Sequence, residues 1–148
     1  MAAVLDLGEI PDNRLNDIGY RLVDAGVEVD RGLAMIDAHL AQSPNDAYAL
    51  DSKGWALYRL GRNDEALAWF DRSIAIFAKD DGDGDARATG LTHKGEVLWK
   101  LGRQDEARDA FAQARKIEPK NAEQAETLKR LNVPAGPERA AASDARGT

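Results

Sequence analysis

"ALDSKGWALYRLGRNDEALAWFDRSIAI", residues Ala49–Ile76, aligns without a gap on "GLTHKGEVLWKLGRQDEARDAFAQARKI", residues Gly90–Ile117. Gly54 falls on Gly95, Gly61 on Gly102, Ala66 on Ala107 and Phe70 on Phe111, each pair 41 residues apart. A weaker copy lies upstream in "RLNDIGYRLVDAGVEVDRGLAMIDAHLAQSPND", residues Arg14–Asp46, with Gly19 and Gly26 in the glycine slots 35 residues before Gly54 and Gly61. A unit recurring at this scale is one supersecondary element that buries its apolar face against its neighbours, so a stacked array is expected.

Each copy reads as two amphipathic helices. In the second copy the first helix is expected over about 47–60, with Leu50, Trp55, Leu57, Tyr58 and Leu60 at helical spacing. Gly61 stands where a left-handed cap ends a helix, and the acidic Asp64 and Glu65 suit the start of the next. Ala66, Phe70, Ile74 and Phe77 then share one face. Gly54 sits inside the first helix, where glycine costs about 1 kcal/mol against alanine. A glycine in that slot of all three copies implies helices too close together to admit a side chain.

The pattern resembles the tetratricopeptide repeat family, whose unit has 34 residues, with a key glycine, an Ala-x3-Phe element and a closing proline. The likeness covers about 12–120, carried by Gly54 with Ala66-x3-Phe70 and Gly95 with Ala107-x3-Phe111; Pro44 and Pro119 close the first and third copies. Departures are Lys53 and Lys94 before the key glycine, Leu50 and Leu91 in the tryptophan slot, and an extra residue with Gly32 and His39 in the first copy. The lysine stems are expected to cover apolar surface with their charges in water. The resemblance implies an all-α, right-handed α-solenoid of three helix hairpins plus a C-terminal capping helix. The expected organisation is a lead-in over 1–11, repeats at about 12–45, 46–79 and 87–120, a capping helix over 121–132 and a disordered tail over 133–148. Ala125, Leu128 and Leu131 are the expected apolar face of that cap.

Composition narrows the function. A net charge of −6 and a pI near 4.9 leave no basic stripe for phosphates, so nucleic-acid binding is not expected. With no cysteine there is no disulfide, thiolate metal site or cysteine nucleophile. The sequence has neither a signal-peptide pattern nor an apolar run of membrane-spanning length, and a cytoplasmic protein is the expectation. His39 and His93 lie in different copies, and no nucleophile elbow or phosphate loop is present. His39 reads as a partly buried core residue, with no carboxylate at helical spacing beside it. No enzyme activity, cofactor or metal is expected.

The resemblance places the first helix of each copy on the concave face. The slots it implies are Asn13, Asn16, Asp17, Tyr20, Val23 and Asp24; then Tyr48, Asp51, Ser52, Trp55, Tyr58 and Arg59; then Thr89, Thr92, His93, Glu96, Trp99 and Lys100. Five of the six Trp and Tyr fall there, and such residues favour interfaces because they bury much area with few rotamers. The expected binding residues are Tyr20, Tyr48, Asp51, Trp55, Tyr58, Arg59, His93, Glu96, Trp99 and Lys100. Tyr58 and Trp99 serve equally well as packing between neighbours, and Trp69 is expected on the convex side. Asn16, Tyr20, Ser52, Thr89 and His93 stand where relatives that clamp a chaperone tail carry Lys, Asn and Arg, so that ligand is disfavoured. With Asp17, Asp24, Asp51 and Glu96 against Arg59 and Lys100, the expected partner is an apolar or weakly basic peptide segment. The alternatives are an accessory subunit of an enzyme and a calcium-responsive module using Asp80–Asp85; self-association through Leu5, Leu7 and Ile10 is a further expectation.

The calcium reading meets a mismatch. With Asp81, Asp83 and Asp85 in the first ligand slots of a helix–loop–helix site, the turn glycine becomes Ala86 and the closing glutamate Thr92. The spacing of 41 exceeds the family's by seven, and the excess lies between Phe77 and Thr89. A solvated, flexible connector is expected there, with the preceding helix running on for a turn because Ala78 replaces proline.

Overall fold

The computed structural model describes residues 10–79 and 82–134, and they form an all-α helical repeat. A 3-10 turn at Asp12–Arg14 leads into α1 (Leu15–Ala25), α2 (Val29–Gln42), α3 (Ala47–Arg59), α4 (Asn63–Lys79), α5 (Gly84–Lys100), α6 (Gln104–Ile117) and α7 (Ala122–Arg130). No strand occurs among the described residues. Helices pair as the hairpins α1–α2, α3–α4 and α5–α6; α1, α3 and α5 also meet in sequence, and α7 packs on α5 and α6.

The hairpin turns share one chemistry. Gly26, Gly61 and Gly102 are left-handed, with φ of 70°, 79° and 79°. At Gly61 the amide donates to Tyr58 O at 2.9 Å, and Arg62 N donates to Leu57 O at 2.8 Å. Gly26 with Val27, and Gly102 with Arg103, repeat this pair of bonds, which satisfies carbonyls a helix end would leave bare.

The interior glycines mark close approach, as their recurrence predicts. A Cβ built on Gly19 would lie 2.7 Å from Gly32 O, and one on Gly32 equally close to Gly19 O, so α1 and α2 touch backbone to backbone. A Cβ built on Gly54 would instead lie 2.7 Å from the Phe70 ring, and one on Gly95 would run into the Phe111 ring. The larger core residue of the second and third hairpins thus fills the space that glycine leaves. Around these contacts Val23, Ile36, Leu50, Leu57, Phe70 and Val97 form one continuous core, while Leu98, Ala107 and Phe111 extend it towards α7.

The extra seven residues do not form the expected connector. The segment between α2 and α3 is 43–46, that between α4 and α5 is 80–83, and that between α6 and α7 is 118–121, all of one length. Relative to its counterparts α4 runs three residues further, ending at Lys79 rather than the Ile76 position, and α5 starts four earlier, at Gly84 rather than Ala88. The expected extra turn of α4 is present, and the remainder is helical because Asp83 caps α5, accepting from Ala86 N at 3.0 Å. Asp46 and Asn121 cap α3 and α7 in the same place. Asp80 and Asp81 of the calcium reading lie outside the described residues, as do Leu5 and Leu7 and the tail over 135–148.

Two further expectations change. Lys53 Nζ pairs with Asp37 at 2.7 Å and Lys94 Nζ with Asp71 at 2.7 Å, so both lysines tie a hairpin to the one before it rather than only reaching water. At α7, Leu128 and Leu131 pack inward as expected, but Ala125 is exposed, and the inward face is completed by Thr127 and by Gln124, whose Nε2 donates to Phe111 O at 2.6 Å.

Candidate partner-binding groove

The face formed by α1, α3 and α5 divides into an open groove, a closed centre and a charged end. The groove, of 370 Å³, lies where α1, α3 and the start of α5 converge, lined by Asn16, Asp17, Tyr20, Tyr48, Asp51, Ser52, Phe77, Asp83, Asp85, Ala86 and Thr89. Tyr48 is 52% exposed, unusual for a large aromatic residue. It is held in place nonetheless: its hydroxyl donates to Asp83 Oδ2 at 2.8 Å, and its ring meets Phe77 edge-on at 4.9 Å. The bond to Asp83, with smaller contributions from burial and from Asp83 charge, raises the phenol's pKa. Tyr20 is half-buried at the back, its pKa raised by burial and then by Asp24 and Asp51. Asp83 spends one oxygen on the α5 cap and one on Tyr48, which lowers its own pKa. Asp85 Oδ1 accepts from Asn121 Nδ2 at 2.8 Å.

Three of the expected binding residues form the closed centre. Trp55, His93 and Glu96 are 4%, 1% and 2% exposed, so they are not surface-presented, and Val23 and Thr92 from the same set of slots are buried too. His93 stacks on Trp55 with centroids 4.4 Å apart. Its Nδ1 meets both oxygens of Asp51 at 3.1 and 3.2 Å, and Nε2 faces Glu123 of α7 at 3.5 Å, an ion-pair rather than a hydrogen-bond distance. Burial opposes a charge on His93, but Asp51 and then Glu123 outweigh it and raise its pKa to about 10. The imidazolium joins α3, α5 and α7. Trp55 Nε1 donates to Asp24 Oδ1 at 3.2 Å, linking α3 to α1.

At the far end, Tyr58 donates to Glu96 Oε2 at 2.7 Å, and Arg130 of α7 forks onto both Glu96 oxygens. Burial and this bond raise the Tyr58 pKa. Arg59 and Lys100 are exposed beside them, with Arg59 donating to Asp24 O. Trp99 is half-buried against the Leu98–Phe111 core, in the packing role open to it from sequence. Trp69 lies on the outer helix α4 between the Lys53 ammonium at 4.2 Å and the Arg72 guanidinium at 4.8 Å. His39 does find a carboxylate: its Nε2 meets Asp46 Oδ2 at 2.7 Å, seven residues on and across a turn. Of the ten expected binding residues, the structure gathers Tyr20, Tyr48 and Asp51 in the groove. Spacing missed its other contributors, Phe77, Asp83, Asp85 and Ala86, because they come from the insertion and its flanks.

A family model described as tetratricopeptide repeat matches residues 46–120, just over half of the chain. The chain belongs to the tetratricopeptide repeat family. Tetratricopeptide repeats mediate protein–protein interaction and are not catalytic modules. No curated protein matches the sequence. Among solved structures, the first such domain of human RPAP3 superposes with a TM-score of 0.66 at 16% identity, covering 93% of this chain and 97% of that one. The first such domain of Spaghetti (RPAP3), solved bound to the HSP90 peptide SRMEEVD, gives 0.64 at 15% identity, covering 88% and 96%. The Yersinia enterocolitica type III secretion translocator chaperone SycD gives 0.64 at 16%, covering 84% and 90%. At these identities the likeness is one of fold. No described helix is long and apolar enough to cross a membrane.

Proposed function

We propose that this protein is a non-catalytic interaction module that holds a peptide segment of a partner protein in the groove between α1, α3 and α5. The observation that carries this reading is the exposed, anchored Tyr48 at the mouth of a 370 Å³ groove. An aromatic ring whose tip and edge are already fixed loses little entropy when a partner covers it, the property that makes such residues interface anchors. Tyr20 and Asp51 contribute from the groove floor. Trp55 and His93 act beneath it by fixing the spacing of α3 and α5, while Tyr58, Arg59, Glu96, Trp99 and Lys100 form the less concave end.

The test is selection of binding peptides from a random display library on the immobilised protein, followed by amide chemical-shift mapping. Shifts centred on Asn16, Tyr48 and Thr89, abolished by a groove-filling Ala86→Trp that leaves helicity and Tm unchanged, support the reading. Shifts centred on α4 and α6 refute it.

A further inference from the structure

Resting on the groove assignment above, we infer that the bound segment is basic, with an arginine or lysine side chain seated beside Tyr48 among Asp17, Asp51 and Asp85. The groove lining carries four carboxylates, Asp17, Asp51, Asp83 and Asp85, and no lysine or arginine. The cations facing these groups account for only part of the charge. His93 meets Asp51 from α5, buried behind the groove, and Arg21 meets Asp17 at 3.4 Å with its own side chain 74% exposed. Among the described residues, the partners of Asp83 and Asp85 are polar: Tyr48, the α5 cap and Asn121. Within the same residues, one buried cation and one loosely held one therefore stand against four carboxylates, and Glu123 adds a fifth behind His93.

One further feature favours a cationic side chain over a neutral one. The Tyr48 and Phe77 rings give a cation an aromatic surface next to the carboxylates, where ring attraction and charge pairing add. A guanidinium matches this pairing of flat ring and forked carboxylate better than an ammonium does. The acidic segment bound by the Spaghetti domain has the opposite charge, and the four groove aspartates would repel it.

The experiment titrates the 15N-labelled full chain with three twelve-residue peptides that share their apolar residues and carry three arginines, three glutamines or three glutamates. The expected result is shifts at Asn16, Tyr48 and Thr89 amides with the arginine peptide. Its affinity should exceed the glutamine peptide's by at least about tenfold and weaken as salt rises. Asp17→Lys with Asp85→Lys, checked for unchanged helicity, should reverse the preference towards the glutamate peptide. Equal binding of the glutamine peptide at the same amides, or preference for the glutamate peptide by the wild type, overturns the charge assignment while leaving the groove in place. Saturable binding of all three away from these amides overturns both readings. A peptide-free dimer that buries the same amides and is dispersed by Asp17→Lys replaces the basic segment with a second copy, and so overturns the inference.

Discussion

Replacing His93 by phenylalanine separates the charge at the closed centre from its shape. The ring and its stack on Trp55, at 4.4 Å, are retained, while Asp51 and Glu123 lose the cation between them. The gap between an ordinary imidazole at 6.5 and the folded value of about 10 corresponds, through linkage, to about 5 kcal/mol. That is an upper bound, because the Asp51 and Glu123 side chains are 16% and 37% exposed and water recovers part of the loss. An expected destabilisation of about 3 kcal/mol remains, in the range for breaking a buried pair from one side. With a urea m-value of about 2 kcal/mol/M, the unfolding midpoint by far-UV circular dichroism at pH 6 should fall by about 1.5 M. The sign of the pH effect follows from the direction of the shift. A histidine whose pKa is raised by folding stabilises fully below about 6.5, and that contribution fades as pH climbs through about 10. The difference between wild type and His93→Phe should therefore shrink between pH 6.5 and 10. Adding Asp51→Asn and Glu123→Gln to His93→Phe should recover most of the loss at pH 6, since no unpaired charge then remains. A single variant within about 0.5 kcal/mol of wild type at pH 6, or a difference that widens with pH, refutes the reasoning.

Gly54→Ala should destabilise by about 1–3 kcal/mol despite alanine's better helix propensity, because its Cβ would meet the Phe70 ring at 2.7 Å; adding Phe70→Leu should return part of that in a denaturation cycle. Asp83→Ala should cost about 1 kcal/mol of helix-cap stability and, by releasing the Tyr48 hydroxyl, lower the pKa of that phenol in an ultraviolet titration. Arg130→Ala leaves buried Glu96 with Tyr58 as its remaining side-chain partner; a loss of about 2 kcal/mol and faster amide exchange in α7 than in α3 are expected.

The hairpins were legible because each rests on local geometry that recurs. A glycine that must be left-handed, as Gly61 and Gly102 are, and a glycine that must yield to a ring, as Gly54 and Gly95 are, leave the same mark at the same spacing. The site was less legible because its parts are not periodic. Whether Trp55 and His93 face solvent depends on Asp51, 42 residues from His93, and on Glu123 from the capping helix, neither of which spacing within one repeat can reveal. The lysine pairs were missed for a similar reason: Asp37 and Asp71 are unremarkable surface aspartates until the hairpins stack. Asp83 and Asp85 showed themselves as a cluster, but their use in capping α5 and bordering the groove follows only from where α5 begins.

The insertion has one further consequence, set by how its residues are shared. Three residues added to α4 raise its end by about 4.5 Å, and four added to α5 raise its start by about 6 Å. Because the helices run in opposite directions, the two ends climb nearly together, and a connection of the same length still spans them. The joint between the second and third hairpins, where Lys94 meets Asp71, stays in register while the rim above it is lifted by a turn. Depth on this side of the groove is thus an independent setting of the architecture, adjustable in matched pairs of turns without re-cutting the stack beneath.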